Sequence, residues 1–129
     1  MPGGRRAARR TALFLLYQWD VTGQPLASLY EGEIDPFART TAEAVVRRAP
    51  ELDREISAAA EGWPAERLGA VERNVLRIAV HELHEGDVPP EVAINEAVAL
   101  AKRYASDEGG RLVNGILGRI QRELEEHAA

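Results

Sequence analysis

An all-α fold is predicted by three observations on this 129-residue sequence. Apolar residues recur at the 3.6-residue period of a helix, and period-2 alternation is nearly absent. Proline and glycine punctuate the chain at helical lengths. The segment from 109 to 126 carries a clear one-sided stripe: Leu112, Val113, Ile116, Leu117, Ile120 and Leu124 fall at i, i+1, i+4, i+5, i+8 and i+12. Together they predict a compact bundle of six to seven helices in two small subdomains packed together, as a single domain over residues 1–129.

The elements follow in order. A first helix runs from about Arg5 to Val21 and stops near Gly23 and Pro25. A loop or single turn leads through Glu31 and Gly32. Asp35-Pro36 pairs a capping residue with a proline at the first helical position, opening a second helix to about Arg48. Pro50 restarts the chain as a third helix ending at Gly62, because proline lacks the N–H that a helix interior needs. Trp63-Pro64 begins a short turn over Ala65 to Leu68. The next helix, Ala70 to Glu85, has Val71, Val75, Leu76, Ile78, Ala79, Val80 and Leu83 over roughly half its circumference; it is expected at the centre. Val88-Pro89-Pro90 is a stiff connector to a helix from about Glu91 to Ala105. Asp107 is expected to cap the last helix. Gly115 and Gly118 weaken that helix, which suggests close approach of another backbone there.

Charge is unevenly placed. Net charge is −5, yet the first twenty residues carry +3 (Arg5, Arg6, Arg9 and Arg10 against Asp20) and the other 109 carry −8. A cationic tip on an acidic body points to a local contact with a polyanion. On a helical wheel the four arginines spread over roughly 140°, and Tyr17 projects with Arg6 and Arg10. Guanidinium groups hold phosphates bidentately, and tyrosine offers a stacking face for bases. The competing reading is a solvated helix end with Tyr17 in the core.

Other features exclude chemistry more than they suggest it. No cysteine is present, which removes disulfides, thiolate metal sites and cysteine nucleophiles and agrees with a reducing cytoplasm. No run of 18 apolar residues predicts a membrane span. His81 and His84 are three apart and lack the zincin spacing; a solvated or capping role near a helix end is expected. Asp87, Glu91, Asp107 and Glu108 read as solvated loop acids. Gly109-Gly110 follows no strand and matches no phosphate-binding fingerprint. Asn95 and Asn114, each beside apolar positions, read as architectural. Glu72 and Glu82 lie inside the apolar arc of the central helix, where a carboxylate must be paired or lie at an interface. Arg73, Arg77 and His84 group on one flank. No catalytic constellation, metal site or cofactor is expected.

Four ordered blocks carry a family resemblance: R-R-A-A-R-R-T-A-L-F-L-L-Y-Q-W-D, R-L-G-A-V-E-R-N-V-L-R-I-A-V-H-E-L, V-P-P-E-V-A-I-N-E-A-V-A-L-A-K-R-Y and L-V-N-G-I-L. They resemble the NusB family of bacterial transcription antitermination factors and cover a little under half of the chain. The resemblance implies a non-enzymatic helical protein that binds boxA-type single-stranded RNA with NusE, a small-subunit ribosomal protein. It implies a place in the antitermination complex on RNA polymerase, notably in ribosomal RNA transcription. It places RNA contacts at Arg5, Arg6, Arg9, Arg10, Tyr17 and Arg111, and partner contacts at Glu72, Arg73 and Leu112. The chain departs from the family at Leu112, where phenylalanine is usual and a base-stacking ring is lost. Monomer and homodimer both stay open. A helical interaction adaptor without RNA binding is the alternative. A NusB-like domain also fronts some ribosomal RNA methyltransferases, for which 129 residues leave no room and no glycine-rich cofactor loop is present.

Overall fold

The computed structural model describes residues 4–128. They form α1 (Gly4–Thr22), α2 (Pro36–Ala59), α3 (Ala70–Glu85), α4 (Pro90–Tyr104) and α5 (Asp107–Ala128), with single 3-10 turns at Leu26–Leu29 and Ala65–Arg67. The described residues contain no strand.

The helix count corrects the expected six to seven. Pro50 does not restart the chain; it lies inside α2, which continues for 24 residues. A proline in a helix interior costs about 3 kcal/mol. Here the ring is exposed, while Ala49, Leu52 and Ile56 on either side of it are buried. Burying each large aliphatic side chain contributes about 1.5–3 kcal/mol, so the packed face outweighs the local break.

Helix ends follow local chemistry. Asp35 caps α2 as predicted: its Oδ1 accepts from the N–H groups of Phe37 and Ala38 at 2.8 and 3.2 Å. α3 stops where Gly86 takes φ +74°, a left-handed conformation that glycine adopts without steric cost. At α5 the expected cap shifts by one residue. Ser106, not Asp107, supplies the oxygen, accepting from the Gly109 N–H at 2.9 Å.

α3 is the axis of the molecule. Val75, Leu76, Ile78, Ala79 and Val80 are each at most 2% exposed, and the helix packs against α1, α2, α4 and α5. α3, α4 and α5 pack on one another, and α1 with α2 docks onto them around a shared core that includes Leu13, Leu16, Leu52, Ile56, Leu117 and Ile120. α1 and α4 both rest on α3 but are not closely packed on one another, which leaves a groove between them.

A polar seam sets the axial position of α1 and α2 on α3. Asp20 of α1 accepts from Arg73 Nε at 2.7 Å, Asn74 Nδ2 at 2.9 Å and Arg77 Nη1 at 3.2 Å. Arg77 also forks onto Asp53 of α2 with two bonds of 2.7 Å, and His84 meets Glu55 at 2.6 Å. The flank of cations read in the sequence thus finds its acids on the two neighbouring helices. Burial pushes the Asp20 carboxyl up, but the hydrogen bonds from Arg73 and Asn74 and the charges of Arg73 and Arg77 carry it below its usual range.

Candidate nucleic-acid interface

α1 presents two faces. Ala8, Ala12, Leu13, Leu15 and Leu16 are buried against the core. Residues 6, 10, 14 and 17 lie at i, i+4, i+8 and i+11, a single stripe along the other side. Arg6, Phe14 and Tyr17 on that stripe are exposed, Phe14 at 44% and Tyr17 at 41%. Tyr17 is therefore not a core residue. Phe14 packs edge-on against Tyr104 of α4, with ring centroids 5.2 Å apart and planes at 86°, a favoured aromatic geometry.

The four arginines do not act as one cluster. Arg5 is exposed and stacks over the Phe37 ring of α2, 4.1 Å from its centroid. Arg6 forks onto Glu96 of α4 at 3.1 and 2.8 Å. Arg10 is half-buried on the groove between α1 and α4. Arg9 departs from the expected surface role: it is 5% exposed and bonded to Glu82 of α3 at 2.7–3.1 Å through Nε and Nη2. Position 9 sits on the core side of the helix with Ala12, Leu13 and Leu16, and a guanidinium there is tolerated only with a partner. Glu82, flagged in the sequence as a carboxylate within an apolar arc, is that partner. The Glu82 hydrogen bond raises the Arg9 pKa despite burial, so the charge is permanent.

Glu72 is half-buried and its carboxylate lies over the first turns of α3 and α5, against Gly69 and Gly109. It makes no ion pair among the described residues. The positive end of a helix dipole suits a carboxylate at each of these turns. Arg73, expected at the partner surface, is instead turned inward: besides Asp20 it donates to the carbonyls of Ala65 and Leu68 at 3.2 and 2.7 Å. It staples the 3-10 turn at Ala65–Arg67 to α3.

Arg111 and Leu112 are both exposed on α5. Leu112 leaves the buried stripe that Val113, Ile116, Leu117 and Ile120 keep, and at 40% exposure it lines an apolar groove with Trp63, Arg67 and Leu68. Trp63 is 60% exposed.

Three other sequence readings are corrected. Asn95 and Asn114 are exposed and make no side-chain hydrogen bond among the described residues, so neither is architectural. No backbone approaches Gly115 or Gly118; space around Gly115 is open, and the close packing falls at Gly109 and Gly110, which lie under Glu72 and Lys102. His81 is buried rather than solvated. Arg48 donates Nη1–H to His81 Nδ1 at 3.0 Å, so the ring is neutral with its proton on Nε2. Phe14 as an exposed aromatic, and half-buried Tyr104 as its partner, were missed. The i, i+4, i+7 spacing of Arg10, Phe14 and Tyr17 was a usable signal; nothing local to Tyr104 announced its contact across the groove.

The all-α scaffold, with a cationic and aromatic stripe on its first helix, places the chain in the class of small helical-bundle proteins. The comparisons then identify the lineage. Residues 6–122 match the model of the NusB family, and the chain belongs to that family. It is 46% identical over 120 residues to the transcription antitermination protein NusB of Rubrobacter xylanophilus, covering 88% of this chain and 86% of the relative. The NusB protein of Solibacter usitatus is 38% identical over 133 residues, covering 95% and 91%. Among solved structures, a crystal structure of antitermination factors NusB and NusE in complex with dsRNA superposes with a TM-score of 0.82 at 32% identity, covering 95% of this chain and 99% of that one. The solution structure of NusB from Aquifex aeolicus gives 0.79 at 33% identity, covering 97% and 92%.

Proposed function

We propose that this protein is a transcription antitermination factor that binds boxA-type single-stranded RNA together with NusE. It works as one helical domain, without enzymatic activity, in the antitermination complex on RNA polymerase and notably in ribosomal RNA transcription in the cytoplasm. The observation that carries this reading is the stripe of Arg6, Arg10, Phe14 and Tyr17 along α1, with Arg10 half-buried and the other three exposed. Arginine supplies charge for phosphates and the rings supply stacking platforms for unpaired bases. NusB relatives, including one described with NusE and dsRNA, support NusE and RNA as partners; the single-stranded form is argued from the exposed rings. Arg5 and Arg111 add exposed charge. Arg9 supports the surface indirectly, by anchoring α1 to α3 through Glu82. Glu72 and Leu112 are the proposed partner contacts, while Arg73 holds the turn beneath them.

Filter binding of a boxA-type RNA, with and without NusE, tests this reading. The expected outcome is binding that strengthens with NusE and falls steeply with salt. Absence of binding under both conditions at moderate salt would sink it.

A protein-only adaptor role has one observation in its favour, the exposed apolar pair Trp63 and Leu112. Partner capture that survives nuclease treatment, with no RNA crosslinks to α1, would establish that alternative. A homodimer covering the same surface would show as a doubled mass in solution that boxA RNA dissociates.

A further inference from the structure

We infer that the groove between α1 and α4 is the track for the RNA phosphodiester backbone, and that Arg103 of α4 is a phosphate contact on its far wall. This rests on the RNA-binding reading above and extends it to a helix outside the arginine-rich segment.

Glu96, Ala99, Leu100 and Arg103 fall at i, i+3, i+4 and i+7 on α4, the face turned toward α1. With Arg6, Arg10 and Tyr104 they line a groove of about 300 Å³. Leu100 is buried at its floor. Three guanidinium groups border it, and they are not equivalent. Arg6 is already forked onto Glu96. Arg10 and Arg103 form no ion pair among the described residues. The uncompensated charge of the groove therefore comes from one arginine on each wall. A strand lying between them would meet a fork from both sides, the bidentate geometry that suits phosphate oxygens.

Aromatic groups continue the groove. The Arg103 guanidinium lies over the Tyr104 ring, 5.2 Å from its centroid, and Tyr104 meets Phe14, one turn before Tyr17. Stacking on Tyr104 holds the Arg103 head in place before any ligand arrives. Basic groups along the groove and the exposed rings of Phe14 and Tyr17 beyond it match a single strand, whose phosphates and unpaired bases must be satisfied together.

The test measures binding of a synthetic single-stranded boxA-type RNA to the full chain with NusE, across a salt series, for wild type, Arg10→Ala, Arg103→Ala, Arg103→Lys and Arg54→Ala. Arg54 is an exposed arginine on α2, away from the groove. Arg103→Ala should weaken binding several-fold and reduce the salt slope by about 0.7, the share of one single-strand phosphate contact. Arg103→Lys should keep most of the slope and lose part of the affinity; Arg54→Ala should change neither. If wild type binds and Arg10→Ala weakens it while Arg103→Ala binds as wild type, this inference falls and the RNA-binding reading stands. If Arg54→Ala weakens binding as much as Arg103→Ala, net charge is responsible and the groove is not the track. If Arg103→Ala weakens capture of NusE in the absence of RNA, the groove is a protein contact. Failure of wild type to bind RNA overturns both readings.

Discussion

Arg9 shows how a single residue changes meaning when its neighbours are known. By type and position it belongs with the arginines of a polyanion site, yet its fork is spent on Glu82, with side-chain exposures of 6% and 8%. Truncating one member of a buried pair strands the other charge, so Glu82→Ala should cost about 3–5 kcal/mol in denaturant melts. The apolar double variant Arg9→Met with Glu82→Leu should recover much of that loss; a double as unstable as the single would show that the pair does more than neutralise itself. His81 is the second such residue. Burial chiefly, with Arg48 and Arg47 against Glu85 and Glu82, holds its pKa below the ordinary 6.5. The unfolded chain then takes up a proton near pH 6.5 that the native ring refuses, because Nδ1 must accept from Arg48. Native stability is therefore full above about pH 6.5 and declines as pH falls toward the lowered native value. Melting temperatures between about pH 7.5 and 5.5 should show this decline, and His81→Gln, which cannot titrate, should flatten it.

The helices carry two local weaknesses that the fold tolerates. Pro50 interrupts the hydrogen bonding of α2 from an exposed position. Pro50→Ala should return up to about 3 kcal/mol, less about 0.4–1 kcal/mol for the freer unfolded chain. A lower melting temperature for that variant would mean that the proline itself helps align α2 on α3. In α5, a Cβ at Gly115 would meet open space. Gly115→Ala should therefore raise stability by about 0.5–1 kcal/mol, read from the denaturation midpoint. If the same variant lost RNA or NusE binding, the bare helix surface beside Leu112 would be part of a contact.

The whole molecule is organised by α3. Its apolar residues make the core, and Asn74, Arg77, His81 and Glu82, all buried, meet partners on α1, α2 or α3 itself. Apolar packing alone is forgiving of axial sliding, whereas a guanidinium fork fits its carboxylate in one register. Within the groove between α1 and α4, Glu96 offsets Arg6 alone, and the hydrogen bond from Arg6 holds the Glu96 carboxyl below the usual carboxylate range against burial. Glu96→Gln should release Arg6 for phosphate and so tighten RNA binding while steepening its salt dependence. Weaker binding by that variant, measured in the same filter assay, would mean Glu96 positions Arg6 rather than competing for it.

Much of this protein was legible in its residues alone, because helical periodicity, capping and chain breakers are local. The all-α class, the Asp35 cap, the end of α3 at Gly86 and the central burial of Val75 to Val80 needed only neighbours within about a turn. The four ordered blocks pointed to the family. Tertiary structure alone decided what Arg6, Arg9 and Arg77 do, since their partners lie 24 to 90 positions away: Arg9 on Glu82, Arg77 on Asp53, Arg6 on Glu96. It also overruled Pro50, where burial on both sides exceeded a local penalty, and exposed Leu112, which the stripe placed in the core. Periodicity reports which face of a helix is apolar; only packing reports how much of that face is covered, and by what.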